Sequence, residues 1–268
     1  MKHFFETHPI FRYEEYVGFM TDQGVLRPQS WRQQLSYHKK VGHLIHIRKF
    51  LYAVKPMLSE VPWIDPYLLA SKMTSDAILG YHTALELHGI AYTTFNEFSV
   101  LSYRQASPFV YEGQRFRAII QPAALVKRSN TNFGVTEIKR SGLIIKLTSL
   151  ERSIVDVLDR PDLGGGWEEI WRSFDHITHL EIDKVVEYAL LLKNATTIAK
   201  VGYFLEQLPS YLAIDQKHIE RLVHHIPRQP HYMNRTRQKE GKYIEKWNLI
   251  VPLEIINRTW EEPDVENI

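Results

Sequence analysis

One stretch of the chain, Val25–Lys55, decides the fold of the N-terminal part: VLRPQSWRQQLSYHKKVGHLIHIRKFLYAVK. Its first half predicts a helix over Gln29–Val41, because Pro28 suits the first helical turn and Gly42 suits the position just after a helix end. The period then changes, and His43–Val54 is rich in β-forming residues on both sides of a basic tip. This second half predicts a β-hairpin, and a hairpin directly after a helix is typical of a winged helix.

The sequence before this stretch supplies a partner helix. Ile10–Gly24 places aromatic residues and Met20 at roughly helical spacing, with two acidic residues early and a glycine at the end. Two helices joined by a short turn form the core of a helix-turn-helix unit. Together with the hairpin, they predict a winged helix-turn-helix DNA-binding domain over residues 1–56.

The charge of this region is strongly asymmetric. Val25–Lys55 contains seven Lys or Arg residues and no Asp or Glu, and residues 1–56 carry nine basic and four acidic residues, a net +5. The whole chain carries only +2. A solvated surface helix would also be polar on its outer face, but that alternative does not explain why acidic residues are missing from the helix and the hairpin together. The asymmetry therefore favours an anionic partner, double-stranded DNA.

The helix over Gln29–Val41 divides into two faces. Trp31, Leu35 and His38 lie at i, i+4 and i+7 and form the predicted inward stripe. On the other face, glutamine can bond both N6 and N7 of adenine, and basic side chains can hold phosphates. We expect base-edge contacts from Gln29, Gln33 and Tyr37, phosphate contacts from Arg27, Arg32, Lys39, Lys40, Arg48 and Lys49, and further DNA contacts from Ser30 and Ser36.

The composition limits what else the protein can be. The chain has 268 residues, of which 44% are hydrophobic and 24% charged, values close to those of an ordinary globular protein. It contains no cysteine, which excludes disulfides, thiolate metal sites and cysteine nucleophiles. No signal peptide or apolar run long enough to cross a bilayer is visible. We therefore expect a cytoplasmic protein without membrane contact.

The remaining sequence predicts a second, larger domain. Residues 57–66, near three prolines, are typical of a linker, and residues 67–268 then form an α+β domain with strands in its first half and helices in its second. The expected helices before the strands lie at 65–73 and 74–89. The expected strands are Phe98–Tyr103, Arg115–Gln121, Val135–Arg140 and Leu143–Leu147. The expected later helices are one opened by a capping box at Thr148–Glu151, then Trp167–Ile177, Ile182–Asn194, Thr197–Gln207 and Asp215–Ile226. A final strand or a tail is expected at Trp247–Leu253. The fold class is thus mixed α/β, of the α+β type.

Three patterns could carry chemistry, and each has a simpler explanation. The glycines at 164–166 lack the rest of a phosphate loop and predict a connection between helices. His82, Glu86 and His88 do not share one helical face, so structural roles are favoured over a metal site. Glu137 and Lys139 lie on one side of a strand, as in restriction-type nucleases, but no upstream aspartate accompanies them. We therefore predict no catalytic residues, no metal and no cofactor, with a metal-dependent nuclease targeted to DNA as the alternative. A third alternative is an interaction module with a basic surface and no operator.

The order winged helix, linker and α+β domain resembles the AbiEi family of antitoxins and transcriptional regulators from bacterial type IV toxin–antitoxin systems, which act in abortive infection. The matching segments are the wing at Leu44–Pro56, then Asp65–Gly89, Thr148–Phe174 and Ala199–Gln207. Two positions depart from the family pattern. His38 stands where an apolar residue is usual, and Phe50 stands where a wing-tip glycine is usual, which predicts a longer hairpin turn.

The resemblance implies a non-enzymatic repressor that binds inverted repeats in the promoter of its own operon. It places the recognition helix on Gln29–Val41 and the wing on His43–Val54. It also implies that the C-terminal domain acts as an antitoxin toward a nucleotidyltransferase-like toxin without binding that toxin directly. Self-association on DNA is compatible with the same resemblance.

Overall fold

The computed structural model describes residues 2–25, 27–55, 64–212, 214–234, 240–258 and 260. Its first elements are α1 (Lys2–Thr7), β1 (Ile10–Arg12), α2 (Tyr13–Asp22), α3 (Pro28–Lys40), β2 (Leu44–Arg48) and β3 (Leu51–Val54). The three strands form an antiparallel sheet in the order β1-β3-β2. A helix pair followed by a hairpin is the predicted winged helix-turn-helix, which is confirmed. The sequence did not reveal α1 or β1, because both are short and β1 runs directly into α2.

An aromatic core holds these elements together. Phe4 of α1, Phe11 of β1 and Tyr16 of α2 are buried, and the ring centroid of Phe4 lies 5.1 Å from that of Phe11 and 5.6 Å from that of Tyr16. Tyr16 also donates a hydrogen bond of 2.9 Å from its hydroxyl to Oε1 of Gln34, and Leu35 of α3 joins the same cluster. Burying each such side chain contributes roughly 1.5–3 kcal/mol. Helix α3 is therefore fixed against α1 and α2 by its inward side.

A six-stranded sheet follows. Its elements and the short helices around it are α4 (Pro66–Ser71), β4 (Ile78–Leu79), α5 (His82–Leu87), β5 (Glu97–Ser102), β6 (Phe109–Tyr111), β7 (Gln114–Ile120), α6 (Ala123–Val126), β8 (Val135–Arg140) and β9 (Leu143–Thr148). The strand order is β6-β7-β5-β4-β9-β8, with β5 parallel to β7 and β4 parallel to β9. The four predicted strands are confirmed within one residue at each end.

The predicted helix at residues 74–89 is wrong in its first half. Ile78 and Leu79 form the short strand β4 in the middle of the sheet, and both are almost completely buried. Tyr81 then has a positive φ of 56°, and the helix begins only at His82. Two apolar residues cannot be assigned to a strand or a helix by periodicity, so this strand is decided by its sheet neighbours.

The last part of the chain is mainly helical, as expected. Its elements are α7 (Leu150–Asp159), α8 (Trp167–Phe174), α9 (Ile182–Leu192), α10 (Ala195–Leu205), α11 (Gln216–Val223), β10 (His231–Tyr232), β11 (Gly241–Ile244), β12 (Leu249–Pro252) and α12 (Leu253–Ile256). The final predicted strand is confirmed as β12, which lies between β10 and β11 in a small sheet.

Two local features at the ends of α7 bear on the sequence predictions. The helix is capped by Ser149, whose Oγ accepts from the backbone N–H of Arg152 at 3.4 Å, and not by Thr148. Thr148 instead ends β9 with its side chain buried. After α7, Gly164 packs so closely that a Cβ there would lie 2.8 Å from Cβ of Val157. The glycines at 164–166 are thus a tight connection before α8.

The described residues form two compact units. The first consists of Met1–Leu79, Phe95–Ile120 and Thr136–Leu147, and the second of Gly80–Thr94, Gln121–Val135 and Thr148–Ile268. Because the winged helix and the large sheet share the first unit, the domain boundary at residue 56 stays a prediction. Most of the predicted linker at 57–66 lies outside the described residues. In the part of the chain that is described, no helix is long and apolar enough to span a membrane.

Candidate nucleic-acid interface

Helix α3 is held by its inward stripe. Leu35 is 3% exposed, and Trp31 donates from Nε1 to the carbonyl oxygen of Val25 at 2.7 Å. His38 is half-buried, its Nδ1 lies 3.4 Å from Nδ1 of His43, and its ring packs edge-on against the ring of Phe5. Burial and the neighbouring His43 lower the pKa of His38, so its ring packs as a neutral group. The predicted stripe of Trp31, Leu35 and His38 is confirmed.

The opposite face of α3 is polar, basic and exposed. At about 100° per residue, its outward side chains fall within an arc of about 160°. Tyr37 stands out most, with 61% of its surface exposed. Among the predicted contact residues of α3, Ser30 is half-buried at the edge of this arc. The exposed ones are Gln29, Arg32, Gln33, Ser36, Tyr37, Lys39 and Lys40, and Arg27, just before the helix, is exposed too.

The positive charges of this face are not neutralised within the described part of the chain. No carboxylate of the described residues lies within ion-pair distance of Arg27, Arg32, Lys39, Lys40 or Lys49. Lys39 and Lys40 lie in the last turn of α3, where the helix dipole favours cations. The face therefore combines hydrogen-bonding amides with uncompensated cations, which is the chemistry that phosphates and base edges require.

The wing places its two basic residues in different surroundings. Its turn consists of Lys49 and Phe50 alone, and Phe50 takes the left-handed φ of 66° that a glycine would otherwise supply. The expectation of a longer turn is therefore wrong. Lys49 is exposed, with Nζ 5.0 Å from the ring centroid of Phe50. We call this exposed turn the wing tip.

Arg48 points away from the wing tip toward the sheet of the same compact unit. It donates from Nη1 to the carbonyl oxygen of Ser107 at 2.9 Å, and its guanidinium lies 4.9 Å from the ring centroid of Phe109. Burial, together with the charge of Arg12, lowers the pKa of Arg48. The structure thus gives Arg48 protein partners, and its contact with phosphate stays a prediction.

Two basic residues near the wing were missed by the sequence analysis. Arg12 and Arg104 line a cavity of about 340 Å³ together with Arg48 and Lys49 of the wing. Arg12 donates from Nη1 to the backbone carbonyl oxygens at positions 72 and 73, at 3.2 and 3.1 Å. No sequence signal could have found this grouping, because Arg12, the wing and Arg104 lie in three separate parts of the chain and only the fold brings them together.

The residues considered for metal chemistry have other partners. Glu137 is 55% exposed on the edge strand β8, and its Oε1 lies 3.9 Å from Nζ of Lys146. No group of three or more potential metal ligands is assembled among the described residues. The ligand set that a nuclease of this type requires is therefore absent around Glu137 in the part of the chain that the structure describes.

The histidine pattern at 82–88 forms buried polar contacts within the second unit. Nε2 of His82 lies 3.0 Å from Oε1 of Glu169, and its Nδ1 lies 3.3 Å from Oε1 of Glu86. Burial opposes the charged imidazole, but the bonds to the two carboxylates outweigh it, so the pKa of His82 is raised. His88 instead contacts the carbonyl oxygen of Thr148 through Nε2 at 2.8 Å. These are structural roles, as expected.

Comparison with known proteins gives a likeness in fold. No family model matches the chain, and no curated protein matches it. Among solved structures, the chain is similar to the RV2827C protein from Mycobacterium tuberculosis, known from a crystal structure, with a TM-score of 0.59 and 15% sequence identity. The match covers 94% of this chain and 90% of that one. Identity this low shows the mixed α/β fold alone.

Proposed function

We propose that this protein is a non-enzymatic, DNA-binding transcriptional repressor. The observation that carries the proposal is the exposed face of α3, which presents glutamine, tyrosine and basic side chains with no carboxylate partner among the described residues. A face of this kind suits the phosphate backbone and base edges of double-stranded DNA. The hairpin that follows α3 supplies the exposed cation of the wing tip.

In the proposed complex, α3 lies in the major groove. Its 13 residues span roughly 20 Å, and the groove is about 12 Å wide, so one helix can reach several base pairs. Gln29, Gln33 and Tyr37 contact base edges and carry sequence preference. The phosphates are held by Arg27, Arg32, Lys39, Lys40 and Lys49, which fix the register without reading sequence.

The resemblance to AbiEi antitoxins extends the proposal to a biological role. The protein represses its own operon by binding inverted repeats, and its C-terminal domain provides the antitoxin activity. The toxin is nucleotidyltransferase-like and is not bound directly. Two inverted half-sites require two copies about one DNA turn, or 34–36 Å, apart, so the proposal includes self-association on DNA. A nucleotidyltransferase-like reading frame beside this gene is expected, and its absence would leave a repressor without the antitoxin role.

The salt dependence of DNA binding tests the helix face. Each phosphate contact contributes about 0.9 to the slope of log K against log salt concentration. The double variant Lys39→Ala/Lys40→Ala should lower this slope by about 1.8. The matched control is Lys127→Ala/Arg128→Ala, which removes two adjacent exposed cations of the second unit and should leave the slope unchanged. Equal effects of both pairs would mean that only total charge matters, and the helix face would lose its role.

Sequence reading is tested by Gln33→Ala. We expect this variant to lose roughly 1–3 kcal/mol on the operator upstream of its own gene and little on random DNA, because a bidentate base contact is lost. The measurement is a fluorescence anisotropy titration with both duplexes. Equal losses on the two duplexes would show that Gln33 reads no base.

The nuclease alternative is tested separately with plasmid DNA and Mg²⁺ or Mn²⁺. Cleavage that Glu137→Ala abolishes would contradict the non-enzymatic proposal.

A further inference from the structure

The loop between β5 and β6, residues 103–108, is held in place at its beginning by a carboxylate. Both oxygens of Asp76 accept hydrogen bonds there, from Oγ of Ser102 at 2.8 Å and from the backbone N–H of Tyr103 at 2.6 Å. Burial would raise the pKa of Asp76, but these bonds outweigh it and the pKa is lowered. The ionised carboxylate of Asp76 therefore accepts both of these hydrogen bonds and fixes the start of the loop.

The other end of the loop is held by the wing. Arg48 of β2 donates to the carbonyl oxygen of Ser107 at 2.9 Å and covers the ring of Phe109 at the start of β6. Both contacts lie within the first compact unit. The loop is thus fixed at both ends beside the wing tip, and the two segments line one cavity of about 340 Å³.

The charges around this cavity are unbalanced. Its lining includes four cations, Arg12, Arg48, Lys49 and Arg104, and two carboxylates, Glu14 and Asp76. The carboxylate of Glu14 is paired with Arg12 at 2.8 Å, and Asp76 is occupied by the loop. Lys49 and Arg104 are exposed and have no carboxylate partner among the residues that the structure describes. Lys49 of the wing tip and Arg104 of the β5–β6 loop are therefore two uncompensated cations that line the same cavity.

The neighbours of Arg104 suit a nucleic-acid backbone. Tyr103 is 51% exposed, and Gln105 is also exposed, so the loop offers a phenol, a guanidinium and an amide in consecutive positions. Each of these groups can donate a hydrogen bond to a phosphate oxygen. A guanidinium can do so with two parallel bonds. Arg48, by contrast, already uses its guanidinium to hold the loop.

We propose that the β5–β6 loop is a second phosphate-binding element, in which Arg104 acts together with Lys49 of the wing tip on the DNA backbone. Arg48 is then a positioning residue that holds the loop beside the wing tip. This inference rests on the proposed function, because it assigns a further contact to the same DNA complex. It predicts a DNA footprint wider than α3 and the hairpin alone would give.

The test uses the full chain and a short duplex of random sequence, titrated over a fourfold range of salt concentration. Arg104→Ala should lower the slope of log K against log salt by about 0.9. Over the fourfold range of salt, the factor by which added salt weakens DNA binding should then be about 3.5 times smaller for the variant than for the wild type. Arg104→Lys keeps a point charge and should retain most of the slope. Lys49→Ala/Arg104→Ala should lower the slope by about 1.8. The matched control is Arg128→Ala, an exposed arginine of the second unit.

A second readout locates the contact. In an ethylation interference experiment, some phosphates should weaken the wild-type complex when ethylated but leave the Arg104→Ala complex unchanged. These phosphates should cluster on one flank of the phosphates that α3 contacts. A merely structural role of Arg104 would weaken binding without removing particular phosphates from the pattern.

The outcomes separate the two proposals. If Lys39→Ala/Lys40→Ala lowers the slope but Arg104→Ala does not, the loop is not a phosphate-binding element and the proposed function stands. If Arg104→Lys loses as much slope as Arg104→Ala, charge is not what the loop contributes, and the inference is overturned. If the wild-type protein binds DNA with no salt dependence, the proposed function itself fails.

Discussion

Replacing Arg152 should strongly destabilise the second unit. Arg152 of α7 is completely buried, and its guanidinium donates to the carbonyl oxygens of Thr131 at 2.9 Å and Phe133 at 2.7 Å, and to Oε1 of Gln121 at 2.9 Å. Its Nε also lies 3.4 Å from Oδ2 of Asp156, which is itself buried. One side chain therefore satisfies four acceptors, of which those of Thr131, Gln121 and Asp156 belong to buried residues and that of Phe133 is partly buried.

The expected loss follows from what Arg152→Met leaves behind. Methionine fills the space of the aliphatic stem but donates no hydrogen bond. Removing one partner of a buried ion pair typically costs about 3–5 kcal/mol, because the other charge stays buried without compensation. Tyr188 still donates to Oδ1 of Asp156 at 2.6 Å, which limits but does not cancel this cost. We expect the free energy of unfolding to fall by about 3–5 kcal/mol at neutral pH.

The pH dependence of this loss identifies its cause. Burial raises the pKa of Asp156 to about 6, although the charge of Arg152 lowers it. Without Arg152 the folded-state pKa should rise further above the unfolded value. A raised folded-state pKa gives stability that is present below the unfolded pKa and is lost as the pH rises through the folded one. The deficit of Arg152→Met should therefore be larger at about pH 8 than at about pH 5.

The assay is urea unfolding followed by tryptophan fluorescence at both pH values. The matched comparison is Arg152→Met/Asp156→Asn, which removes the uncompensated charge and should recover about 2 kcal/mol and flatten the pH dependence. A loss below about 1 kcal/mol for Arg152→Met, or no recovery in the double variant, would refute this account of the buried pair.

Two further predictions concern stability. Hydrogen bonds from His82 and from the backbone N–H at position 93 outweigh burial and hold the pKa of Glu169 at about 2. The ionised Glu169 therefore contributes to the free energy of unfolding above the unfolded pKa of 4.5, and this contribution is lost as the pH falls toward 2. Glu169→Gln should therefore lower the free energy of unfolding by roughly 2–3 kcal/mol at about pH 6 and much less at about pH 3, and an equal loss at both would contradict the assignment. Gly202→Ala should cost about 1–3 kcal/mol, because its Cβ would lie 2.1 Å from the buried ring of Trp247. The matched control is Gly18→Ala, on the exposed side of α2, where no atom lies near the added Cβ. This variant should gain about 0.5–1 kcal/mol in the free energy of unfolding. A similar change in both variants would mean that helix propensity, and not packing against Trp247, determines the effect.

The winged helix could be predicted from the sequence because its signals are local. The change from helical to alternating period occurs at Gly42, which takes the positive φ of 74° expected at a helix end. The polar face of α3 follows from the position of Leu35 and Trp31 on the other side of the helix. Helix boundaries and exposure are set within one or two turns of chain, so the residues themselves carry the information.

Other features depend on distant parts of the chain and could not be predicted. The strand β4 consists only of Ile78 and Leu79, and pairing with β5 and β9 decides its conformation. The orientation of Arg48 depends on Ser107, which is 59 positions away in the sequence. Arg104 lies beside the wing for the same reason, because the fold brings distant segments together. Charge counts identified the basic region correctly, but they do not distinguish a cation that faces solvent from one that holds a loop.

The attachment of the wing to the β5–β6 loop bears on how tightly the protein would hold DNA in the proposed complex. A segment that is already ordered loses little conformational freedom on association, and such preorganisation raises affinity without any additional contact. A fragment ending at residue 55 would keep each glutamine of α3 but would lack the acceptor at Ser107 and the carbonyls that receive Arg12. The β1-β3-β2 sheet would remain, but Arg48 and Arg12 would lose the contacts that fix their side chains. In the proposed DNA complex, such a fragment would lose more conformational freedom on association and would bind more weakly than the whole chain.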